Sequence, residues 1–103
     1  MVRFVYVTCR DKAEALEIGR ALVKERLASC VNVWGGMTSV YVWKGQLEES
    51  GEAVLLVKTF AAKVDAVMAR VKEKHSYEVP CMLVWEIEKG HPPFVEWMRA
   101  AIE

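Results

Sequence analysis

A chain of 103 residues suits one ordinary domain, 1–103, which buries roughly two-thirds of the surface its unfolded form exposes and holds a core without staples. Lys plus Arg number 14 and Asp plus Glu 14, so there is no electrostatic footprint for nucleic acid. The hydrophobic fraction of 53% is high for so small a domain, yet no apolar run approaches the ~18 residues of a membrane span; the surplus must stay exposed or meet another subunit.

Residues 2–9, VRFVYVTC, are β-branched and aromatic and read as a strand. Val2, Phe4 and Tyr6 share one face and Val5 and Val7 the other, the pattern of a strand buried on both sides. Asp11 has the place of a helix N-cap, with Glu14 three residues on as a capping box requires. The apolar period carries that helix to about Ala28, with Ala15, Ile18, Gly19, Leu22 and Val23 on its inner face. Arg26 falls within that arc and is expected to snorkel or to pair with a carboxylate.

Residues 31–43 read as a long strand interrupted by a bulge or kink at Gly35-Gly36. Lys44-Gly45 makes a turn, and Ser50-Gly51 predicts a second irregularity before a strand at 53–59. A second helix spans 63–75, with Val64, Val67, Met68 and Val71 as its stripe and His75 continuing it. Pro80 ends that region. Residues 81–87 form a last strand, and Pro92-Pro93 starts a helix with Phe94, Trp97, Met98 and Ile102 on one side.

The order β-α-β-β-α-β predicts an α+β, ferredoxin-like antiparallel sheet with two helices on one face and an extra C-terminal helix. The uncovered face would be a large apolar surface, which predicts a homo-oligomer. Tyr41 and Trp43, at the hairpin end, are the expected inter-subunit contacts. Lys58, at the end of a buried strand, is expected to pair with a carboxylate such as Glu86 or Glu88, ahead of the alternative that it faces a cleft between subunits.

The three cysteines, Cys9, Cys30 and Cys81, are odd in number and lack paired spacing, which argues against a disulfide framework. The N-terminal apolar run is too short for a signal peptide, so a cytoplasmic protein is expected.

KHSYEVPC, Lys74 to Cys81, sets an imidazole, a carboxylate and a thiol three residues apart, at His75, Glu78 and Cys81. A ferredoxin-like sheet makes the first and last strands neighbours, which brings Cys9 toward Cys81 and leaves Cys30 at the opposite end. His75 and Cys9, then Cys81 and Glu78, are therefore the candidate metal ligands. The same residues also read as a hydrogen-bonded helix-end histidine and as small strand hydrophobes. No CxxC or HxxxH spacing is present. Nothing supplies an oxyanion hole or a phosphate-cradling loop, so no enzyme is expected.

Arg26 to Glu49, RLASCVNVWGGMTSVYVWKGQLEE, closely resembles the central signature of the CutA divalent-cation tolerance proteins. LLVKT, HSYEVP and EKGHPPFVEWMR match its later blocks in order and spacing. The resemblance implies a ferredoxin-like subunit, a tight homotrimer paired through the long hairpin, a cytoplasmic location, copper binding and a part in the response to divalent metal ions. Likeness to the nitrogen-regulatory PII trimers implies an alternative, sensing of a small molecule or protein partner in inter-subunit clefts. The chain departs from the family pattern at Arg10, Ser76 and Cys81, where the family has proline, proline and an acidic residue.

Overall fold

The computed structural model describes all 103 residues. Four strands and three helices follow one another as β1 (Val2–Cys9), α1 (Lys12–Lys24), β2 (Cys30–Trp43), β3 (Gln46–Phe60), α2 (Val64–Lys74), β4 (Met82–Glu86) and α3 (Pro92–Ile102). A 3₁₀ turn at Ala61–Lys63 leads into α2. All pairings are antiparallel and the sheet order is β2-β3-β1-β4, the ferredoxin-like arrangement.

The alternation along β1 decides which face is covered. Val5, Val7 and Cys9 are fully buried against Ala15, Ile18 and Leu22 of α1 and Val67 and Val71 of α2. Gly19 lets α1 lie close to the sheet: a Cβ there would stand 2.8 Å from Val31 Cγ2. On the other face, Tyr6 lies between Leu56 and Leu83, and Phe4 between Lys58 and Trp85. Leu83 and Trp85 keep 64% and 54% of their surface exposed, so this face is apolar and only partly covered.

Lys58 makes no pair with Glu86 or Glu88. Its ammonium lies 5.8 Å from the Phe4 ring centroid and 5.6 Å from that of Phe94, so aromatic faces take the place of the expected carboxylate.

Two expectations about length are corrected. Helix α1 stops at Lys24, not near Ala28. Arg26 adopts φ 61°, its N–H donates to the Val23 carbonyl, and the Leu27 N–H donates to that of Leu22. These two bonds make a Schellman motif in which arginine holds the position usual for glycine. The Arg26 guanidinium reaches the main-chain oxygen of Glu103, not a carboxylate side chain. Val23, expected on the inner face, is 40% exposed, and Glu14 is among the buried residues of α1.

The second correction concerns β3. It runs unbroken through Ser50-Gly51, and the single register shift lies across Trp34 and Met37, at the Gly35-Gly36 bulge. On the hairpin side of Ala53 the strand has no β1 partner. Residues 37–52 therefore project as a two-stranded arm, closed by the Lys44-Gly45 turn with φ 52° and 78°.

Candidate functional site

Three chains of local causes bring one thiol, one carboxylate and one imidazole together. Cys9 ends β1 on the buried face. Asp11 caps α1 by accepting the Glu14 N–H at 2.8 Å, which turns the Glu14 side chain back over the helix start. There its carboxylate accepts from the Arg10 N–H at 3.0 Å, the Arg10 guanidinium at 3.3 Å and the Ser76 N–H at 2.8 Å. His75 caps the end of α2, which delivers its ring to the same place. Ligand atoms of Cys9, Glu14 and His75 all lie within 4.8 Å of one another.

The protonation of each group follows from its contacts. The His75 ring stands between two backbone groups: Nε2 lies 2.8 Å from the Thr8 carbonyl and Nδ1 accepts the Tyr77 N–H at 3.1 Å. A carbonyl only accepts, so the proton belongs on Nε2 and the lone pair on Nδ1. The Cys9 thiol is pushed up to about 12, first by burial and then by the charges of Glu14, Glu52 and Asp11. Burial works against an ionised Glu14, but hydrogen bonds from Ser76 and Arg10 outweigh it and hold its carboxyl below the usual range.

Of the residues singled out in the sequence, Cys9 and His75 meet and Cys81 and Glu78 do not join them; the third member is Glu14. Glu14 was visible only as the second half of a capping box. Its bond to Ser76, 62 residues away, has no local signal. Cys30 lies across from Lys58, which in turn faces Phe4, at the far end of the sheet from Cys9 as the topology required.

Glu78 and Cys81 instead line a cavity of about 410 Å³ with Tyr41, Trp43, Glu52 and Tyr77. The Tyr77 hydroxyl donates to Glu52 at 2.8 Å. Burial first, then that carboxylate, pushes the Tyr77 phenol well above its ordinary value.

As a metal centre the trio has suitable donor types, sulfur, nitrogen and oxygen, at suitable separations for a soft or borderline ion. An ion held there would displace the thiol proton and take the place of one hydrogen bond of the His75 ring.

A profile of the CutA1 divalent ion tolerance protein matches residues 3–101. A CutA homolog of Xenopus laevis is 45% identical over 93 residues, covering 90% of this chain and 62% of that protein. The divalent-cation tolerance protein CutA of Thermus thermophilus is 39% identical over 99 residues, 96% of each. The chain spans about 60% of the length of the frog, mouse and human relatives it matches. The structure of a protein described as the periplasmic divalent cation tolerance protein CutA of Archaeoglobus fulgidus superposes with a TM-score of 0.96 at 35% identity, covering 100% of both chains. On sequence and fold together, the chain belongs to the CutA1 divalent ion tolerance family.

Proposed function

We propose that this protein works as a homotrimer that binds copper or another divalent ion and takes part in the response to metal ions. The observation that carries metal binding is the convergence of Cys9, Glu14 and His75 within 4.8 Å. A thiolate and a carboxylate offset the charge of a divalent ion, and a neutral imidazole adds a borderline nitrogen. An ion at this place lowers the pKa of the coordinating thiol outright and releases one proton. The reading assigns binding and not catalysis: a thiol held protonated is the opposite of an activated nucleophile. Cys81 and Glu78, on the cavity wall, are separate from the trio, and an ion held by them would occupy a second position.

Self-association is supported by the arm and by the open sheet face. Val40, Val42 and Leu47 on the arm are 60%, 67% and 70% exposed, and Trp43 is 54% exposed. A two-stranded ribbon is marginal in water by itself. The family resemblance supports three as the number of subunits. Three free thiols and no disulfide suit a reducing compartment, which supports a cytoplasmic location.

The test is a competition titration of the reduced protein with Zn(II) and with Cu(I) against a chelator, beside Cys9→Ser and His75→Ala. One ion per subunit, with about tenfold loss (about 1.4 kcal/mol) in each variant, is expected. Equal weak binding by all three proteins would overturn the reading.

A further inference from the structure

We propose that the cavity beside the trio binds a small organic cation, with an ammonium group against Glu52 and Glu78 and its hydrocarbon body against Tyr41, Trp43 and Tyr77. This site is distinct from the proposed metal ligands Cys9, Glu14 and His75, and the inference stands without that reading.

Four observations carry it. First, the volume of about 410 Å³ lies within the ~300–1,000 Å³ range of small-molecule sites. Second, the charge has one sign: two carboxylates line the cavity and no lysine, arginine or histidine does. An anion is therefore repelled and a cation attracted. Third, three aromatic residues form the walls, and the π-face of an aromatic ring attracts a cation through its quadrupole. Fourth, two of the polar wall groups already have hydrogen-bond partners. The Tyr77 hydroxyl donates to Glu52 Oε2 at 2.8 Å, which orients the carboxylate and leaves Oε1 free. The Tyr41 hydroxyl lies 3.3 Å from Ser50 Oγ. Polar groups held in this way lose little freedom on binding.

The same walls disfavour a bare metal ion. Glu52, Glu78 and Cys81 are donor types on these walls but do not converge on one point, whereas the donors that do, Cys9, Glu14 and His75, lie outside the cavity lining. A cation with a carbon skeleton uses both kinds of wall together.

The experiment is calorimetric titration of the intact protein with phenethylamine and with 2-phenylethanol, which keeps the ring and chain but carries no charge. Both titrations are repeated with the double variant Glu52→Gln/Glu78→Gln and with Trp43→Leu. The amide oxygen introduced by Glu52→Gln still accepts from the Tyr77 hydroxyl, so the wall stays in place while the charge is removed. The amine is expected to bind at least about tenfold more tightly than the alcohol, the double variant to lose that preference, and Trp43→Leu to weaken the amine. Equal binding of amine and alcohol, no binding of either, or amine binding unchanged in the double variant would each overturn the proposal. So would competitive displacement of the amine by Zn(II) in the wild type with loss of zinc binding in the double variant, since the cavity would then be the metal site.

Discussion

Glu14 gives its two carboxylate oxygens to N–H groups of Arg10 and Ser76 while only 4% of the residue's surface meets solvent. Replacing it by glutamine turns an NH₂ group toward one of those donors, and Glu14→Gln is expected to cost about 1–3 kcal/mol in denaturant unfolding near pH 7. Because the folded carboxyl lies below its ordinary 4.5, the stabilisation is full above that value and is lost as pH falls through the lowered folded value. The difference between wild type and variant should therefore shrink on acidification below about pH 4.5, and a difference independent of pH would refute an ionised Glu14. At the proposed metal site Cys9 would set the pH dependence of binding. With its thiol pushed up to about 12, each ion bound displaces one proton, so apparent Zn(II) affinity should rise about tenfold per pH unit between pH 6 and 8. The meeting of Cys9 and His75 was legible in the sequence because strand order and helix direction dictate it. The exclusion of Glu78 and Cys81 was not legible, because it depends on side-chain directions after the helix end.

At the scale of elements, strands, helices and the Gly35-Gly36 bulge all follow from period and turn chemistry, and the order of elements is enough to name the sheet topology. What sequence reading missed lies at ends. The α1 terminus carries no glycine, so the apolar period was followed through the true cap at Glu25. Arg26 at φ 61° sits in a conformation that costs a non-glycine residue roughly 1 kcal/mol. Arg26→Gly is expected to raise thermal stability, by up to about 1 kcal/mol less whatever the guanidinium contact to Glu103 contributes. A clear fall in melting temperature would show that the contact outweighs the strain. The Ser50-Gly51 irregularity failed for a different reason: the cross-strand partners Ser39 and Thr38 keep the ladder continuous through the glycine.

For the whole molecule, the principal extents of 46 × 25 × 23 Å reflect an elongated subunit with its arm projecting from the sheet. If the arm is covered by neighbours, a charge placed there should release them. The double variant Val42→Glu/Leu47→Glu is expected to sediment as a monomer, or to dissociate at far higher concentration than wild type, since both side chains are mostly exposed within one subunit. An unchanged sedimentation coefficient would place the interface elsewhere. The position of β1 in the sheet has a consequence for synthesis. Within this domain β1 is made before either of its sheet neighbours, and it is an inner strand, with β3 on one side and β4 on the other. One of its hydrogen-bonding edges stays unsatisfied until Phe60 has been made, and the other until Glu86 has. The nascent chain therefore carries an apolar, unpaired VRFVYVTC until both partners have been made, the interval in which chaperone contact or premature pairing between neighbouring chains would act.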